Sequence, residues 1–124
     1  MIALHHVQLA CPPGGEGPVR AFWTAFGLVE VDKPAALRDR GGCWFRGYDA
    51  GRVAAEVHVG VEEPFVPARK AHPALLVDDL EAVANRLRAA GSPVDDAERE
   101  TFAGYLRFHT FDPHGNRVEV LQSR

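Results

Sequence analysis

Apolar and polar positions alternate with a period of two at the start of the chain. Within residues 2–10, Leu4, His6, Gln8 and Ala10 fall on one side and His5, Val7 and Leu9 on the other, which predicts a strand. The turn-rich CPPGGEGP breaks it. The period then lengthens: Val19, Phe22, Trp23 and Phe26 recur at helical spacing and stop at Gly27, a residue suited to a helix C-cap. LVEVDKP, GGCWFRGYD and RVAAEVHVGVEE follow as three strand-like pieces punctuated by Gly, Pro and Asp.

The order then begins again. HPALLV reads as a strand, and Asp78 or Asp79 is the expected N-cap of a helix in which Leu80, Val83, Ala84 and Leu87 form an apolar stripe ending before Gly91. SPVDD, GYLRFHTFDP and NRVEVLQ supply three more strand-like pieces, the last two separated by the turn DPHGN. The predicted class is α+β, with tandem βαβββ modules at residues 1–62 and 71–124 joined by a Pro- and charge-rich linker at 63–70. Chemistry repeats with the pattern. His6 and Glu56 are 50 residues apart, and His72 and Glu119 are 47 apart, so each half offers one imidazole and one carboxylate.

Composition keeps this within an ordinary globular domain. The chain has 124 residues, 46% of them hydrophobic and 25% charged, and no apolar run approaches the ~18–20 residues of a bilayer span. The start has neither the basic residues nor the long apolar stretch of a signal peptide, so a cytoplasmic protein is expected. A net charge of −3 with interspersed signs argues against nucleic acid or an anionic membrane and leaves a small molecule as the expected partner. Cys11 and Cys43 form neither a disulfide framework nor a CxxC pair and are expected to be reduced, with Cys43 buried.

Strand alternation grades the candidate site residues. Glu119 sits between Val118 and Val120 in a strand expected to be central, where a carboxylate is costly unless paired or metal-bound. His6 shares a face with Gln8, whereas His5 is expected on the opposite face, toward the helices or solvent. Glu56 and His58 lie two apart and share a face, so either could serve as ligand, the other standing behind it or facing substrate. Tyr105, Arg107 and His109 form one polar set, and Trp44, Arg46 and Tyr48 another, both expected to line a cavity; Arg107 is suited to a substrate carboxylate or phosphate. His114, in its turn, is expected to be solvated and without a catalytic role.

LHHVQLA, AHPALLVDDLEAVANRLRAAG and FDPHGNRVEVLQ resemble the strand–helix and turn–strand signatures of the vicinal oxygen chelate superfamily, which includes glyoxalase I, fosfomycin-resistance transferases, extradiol dioxygenases and bleomycin-resistance proteins. The resemblance covers nearly the whole chain. It implies βαβββ modules forming a curled mixed sheet around an open cavity, commonly completed by dimerisation and commonly holding a divalent metal. Positions matching glyoxalase-type ligands are His6, Glu56, His72 and Glu119; fosfomycin-type members match only His6, His72 and Glu119. The set suits Ni, Co, Zn, Mn or Fe.

The leading expectation is a glyoxalase-like lyase or isomerase acting on a small molecule that chelates the metal through vicinal oxygens, with Glu119 and Glu56 handling protons and His58, Arg107, His109, Tyr105 and Trp44 facing substrate. The alternatives are a metal-free binding protein of the antibiotic-resistance type and a fosfomycin-type thiol transferase. Whether the modules pair within one chain or across a homodimer is open at this level.

Overall fold

The alternation at the N-terminus forms a shorter strand than the pattern predicts. In the computed structural model, which describes residues 1–124, β1 spans Val7–Cys11 and His5 and His6 precede it. Leu9 and Cys11 turn into the core, and Gln8 remains exposed on the other face. Helix α1 (Glu16–Phe26) buries the predicted stripe of Val19, Phe22, Trp23 and Phe26. It ends at Gly27, whose φ of 108° is a left-handed conformation that side-chain-bearing residues resist.

Three strands follow, β2 (Val29–Val31), β3 (Cys43–Asp49) and β4 (Arg52–Val61). The first sheet has the order β1-β4-β3-β2, with β1 parallel to β4 because α1 carries the chain back over one face, and the other neighbours antiparallel. The second module contains β5 (Ala74–Leu76), α2 (Leu80–Ala89), β6 (Tyr105–Phe111) and β7 (Arg117–Ser123). Asp79 is the N-cap, its side chain accepting from the Ala82 N–H, and Leu80, Val83, Ala84 and Leu87 are buried. The second sheet has the order β5-β7-β6, again parallel at its first pair. SPVDD differs from expectation: it contributes only the bridge Asp95↔His109, because exposed Asp95 and Asp96 offer no apolar face to hold a longer ladder. The two mixed sheets do not close into a barrel.

Both helices pack on the same side of the molecule. One buried cluster of 17 residues runs from Leu9, Trp23, Phe45 and Val57 in the first module to Leu87, Phe108 and Val120 in the second. Arg86 of α2 donates to the carbonyls of Ala25 and Phe26, which the end of α1 leaves without helical partners. No helix is long and apolar enough to cross a membrane. Both cysteines are buried free thiols, and burial raises the Cys43 pKa to about 11.

The DPHGN turn also ties the modules together. Asn116 is buried; its Oδ1 accepts from the Ala68 N–H, and its Nδ2 donates to the Ala10 carbonyl and to Asp112 Oδ2. His114 is half-buried rather than solvated, with Nε2 2.8 Å from the Gly15 carbonyl and its ring edge-on to Phe65. The turn folds back over the start of α1, a contact 99 residues distant that no local pattern encodes. Asn116→Ala leaves several buried groups without partners and is expected to cost about 2–4 kcal/mol, read as a lower urea midpoint at unchanged m-value.

Candidate metal and substrate site

The faces of the two sheets turned away from the helices carry the candidate chemistry. In the first module, antiparallel register sets Arg46 opposite Glu56 and Trp44 opposite His58. Glu56 is buried and divides its oxygens: Oε1 accepts from Arg46 Nε at 2.6 Å, and Oε2 lies 2.7 Å from His58 Nε2. His5 and His6 approach from the segment ahead of β1, their Nδ1 atoms 3.0 Å apart, with His5 Nδ1 3.9 Å from Glu56 Oε2. His5 is solvent-exposed as one expectation had it, yet it joins this group rather than the opposite face. The ladder begins at Val7, so alternation does not govern the residues before it.

The second module repeats the arrangement with different residues. Register sets His109 opposite Glu119. Glu119 is buried; Oε1 lies 2.9 Å from His72 Nε2 and 3.4 Å from His109 Nε2, while Oε2 is 3.3 Å from Arg107 Nη1. Arg107 is fixed in turn by the Thr101 hydroxyl and the Glu98 carbonyl. Each carboxylate thus offers one oxygen to an arginine and the other to imidazole.

Burial and these partners act in opposition on both acids. Burial pushes the pKa of Glu119 up, but hydrogen bonds from His72 and Arg107 and the Arg107 charge outweigh it, leaving it below the ordinary carboxylate value. Glu56 is likewise raised by burial and lowered overall by His58 and Arg46. His58 and His109 are shifted down, mainly because burial disfavours the imidazolium. The signs reinforce each other. A histidine with a lowered native pKa contributes stability above its unfolded value near ~6.5 that is lost as pH falls, and a lowered carboxylate does the same below its unfolded value near ~4.3. Chelator-treated protein is therefore expected to lose thermal stability in two acid steps, the first between about pH 7 and 5. His109→Gln should reduce that first step in differential scanning calorimetry across pH.

The structure gathers His5, His6 and Glu56 into one group whose ligand atoms lie within 4.8 Å of one another, and His72, His109 and Glu119 into another. His6, Glu56, His72 and Glu119 do not form a single group within one chain. Trp44 and Tyr105 are half-buried on the same faces as these groups. A groove of about 840 Å³ opens between the modules, lined among others by His6, Tyr48, Glu56, Leu75 and Arg86; His72, His109 and Glu119 lie outside its lining.

The second group has the donor chemistry of a divalent-metal site. His72 Nδ1 is 2.7 Å from the Lys70 carbonyl, which only accepts, so Nδ1 carries the hydrogen. Nε2 lies 2.9 Å from Glu119 Oε1, where it donates when the ring carries both protons and, once the second is given up, offers a lone pair to a cation shared with that carboxylate. Sequence reasoning did not identify Lys70 or the participation of His5. The His-His pair ahead of a strand was the available signal for His5; the Lys70 carbonyl carries none.

The model of the Glyoxalase/Bleomycin resistance protein/Dioxygenase superfamily matches residues 19–120. Among solved structures, a protein described as of the glyoxalase family from Bacillus anthracis is 37% identical, with 100% of this chain and 97% of that one covered and a TM-score of 0.86. The fosfomycin resistance protein FosX from Listeria monocytogenes is 13% identical, with 100% and 95% covered and a TM-score of 0.73. A protein from S. aureus is 18% identical, with 98% of each chain covered and a TM-score of 0.69. The latter two likenesses concern the fold alone. No curated protein matches the chain. The matched span takes in most of α1, all of α2 and both Glu56 and Glu119, and the chain belongs to the Glyoxalase/Bleomycin resistance protein/Dioxygenase superfamily.

Proposed function

We propose that this protein is a metal-dependent enzyme of the lyase or isomerase type, acting on a small molecule that presents two vicinal oxygens. His6 and Glu56 of one module and His72 and Glu119 of the other form its site, brought together when two copies of the chain pair. The observation that carries this reading is the setting of His72: its ring is held through Nδ1 by the Lys70 carbonyl, with Nε2 turned toward the buried carboxylate of Glu119. The separation of the two groups within one chain favours pairing across a dimer.

The donor set of imidazoles and carboxylates suits Ni, Co, Zn, Mn or Fe. A divalent ion held there supplies Lewis-acid stabilisation of negative charge on substrate oxygens. The chain provides the rest. Lys70 and His109 orient His72 and Glu119. Arg107, now paired to Glu119, becomes available to an anionic group on the substrate once that carboxylate is engaged elsewhere. Glu119 and Glu56 are the proton carriers, and the partners that lower the pKa of each keep it ionised and able to accept a proton. Trp44 and Tyr105 flank the substrate, with His58 stacked between Trp44 and His6.

Elemental analysis of protein purified without chelator, followed by titration with each divalent ion, tests the reading. One tightly bound ion per chain is expected. A wild-type protein that carries no stoichiometric metal and takes up none overturns it in favour of a metal-free binding protein.

A further inference from the structure

His6 is an exposed residue ahead of the first strand, yet its ring has a defined resting place. It stacks on His58 with centroids 4.0 Å apart and planes inclined by 18°. On its other side, His58 stacks on Trp44 at 3.8 Å and 1°. Trp44 and His58 are direct neighbours across β3 and β4, so the ladder itself brings these two rings face to face. His58 is 5% exposed and is anchored through Nε2 to Glu56 Oε2. Three rings therefore form a pile that begins in the sheet and ends at an exposed imidazole.

The internal repeat indicates what the middle ring replaces. His6-Val7-Gln8 and His72-Pro73-Ala74 open the two modules in parallel. Gln8 pairs with His58, whereas Ala74 pairs with Glu119. By register, the counterpart of Glu119 is His58 rather than Glu56. The position that carries a carboxylate in the second module carries a flat ring in the first, with a tryptophan behind it where the second module has His109.

We infer that the Trp44–His58 pair is a positioning device for His6, acting by ring stacking: it holds the imidazole of a residue outside the sheet in one orientation for the metal. This rests on the proposal that His6 is a ligand. In this role His58 contributes no ligand atom, its Nε2 remaining with Glu56. Stacking against a buried, doubly held ring restricts the side-chain freedom that an exposed histidine would otherwise lose on binding, and outer-shell support of this kind is worth roughly 10- to 100-fold in metal affinity.

Two substitutions of His58 separate stacking from hydrogen bonding. His58→Phe keeps the ring and loses the bond to Glu56, while His58→Gln keeps a donor for Glu56 and loses the ring; Trp44→Leu removes the back of the pile. Full-length, chelator-treated protein is titrated with Co²⁺, reading affinity and the visible absorption band. The His6 ring-proton shifts are read by NMR without metal. His58→Gln and Trp44→Leu are expected to weaken Co²⁺ binding about 10-fold and to move the His6 signals toward those of a free imidazole, while His58→Phe, which loses only the bond to Glu56, leaves the His6 signals in place and weakens binding less than His58→Gln. Wild-type affinity in His58→Gln and Trp44→Leu overturns the positioning role, as does equal weakening in His58→Phe and His58→Gln. His6→Ala separates the two levels. If it leaves Co²⁺ affinity unchanged, the ligand reading fails with this one; if it weakens binding while the stack variants do not, only the positioning role fails.

Discussion

Glu119→Gln abolishes tight divalent-metal binding, with an expected loss on the order of 100-fold in affinity, measured by competition with a chromophoric chelator. The substitution keeps shape and removes charge. In the wild type, Glu119 is 4% exposed and meets His72, His109 and Arg107 at once. A neutral amide offers one oxygen and a competing NH₂, so it cannot accept from both the imidazole side and the guanidinium side. The metal-free variant should also be less stable by about 1–3 kcal/mol, because Arg107 keeps its charge while losing a charged partner. It should lose less stability than wild type below about pH 4, since a lowered carboxylate contributes only where it is ionised. Wild-type metal affinity in this variant would remove Glu119 from the ligand set.

The second large effect concerns which modules meet. His6→Ala and His72→Ala, each alone, lack one ligand in every site and are expected to bind metal weakly. Unfolded together and refolded, they form mixed pairs. If the site joins the first module of one copy to the second module of another, each mixed pair has one site with both lesions and one with none. Random pairing then restores about a quarter of the wild-type sites. Metal titration of the mixture reads that fraction directly. A site closed within one chain predicts no recovery at any mixing ratio, and that result would sink the dimeric arrangement while leaving the ligands in place.

Much of the fold was legible because it rests on local periodicity. The stripe of Val19, Phe22, Trp23 and Phe26, the Gly27 cap and the Asp79 N-cap follow from side-chain spacing and backbone preference over a few residues. Strand alternation set Glu119 opposite an apolar face and placed Glu56 and His58 on one face together, and all three are buried, as is His109. SPVDD was misread because turn-flanked short segments have no periodicity of their own, and a strand that small forms only if a neighbour holds it. The clamp of Asp112, His114 and Asn116 looked like turn chemistry alone, since its partners Ala10, Gly15 and Ala68 are tens of residues away.

The candidate site divides along the same line. Amino-acid sequence by itself determined the family signatures, the two modules, and the imidazoles and carboxylates that a divalent metal would use. Tertiary structure alone decided their company: Arg46 and Arg107 on the two carboxylates, the Lys70 carbonyl behind His72, the His6–His58–Trp44 stack, and the division of the donors into two groups rather than one. The physical reason is register. Spacing along a strand sets which face a side chain takes, but which residue stands opposite it depends on how two distant strands align, and that is settled by the packing of the whole core.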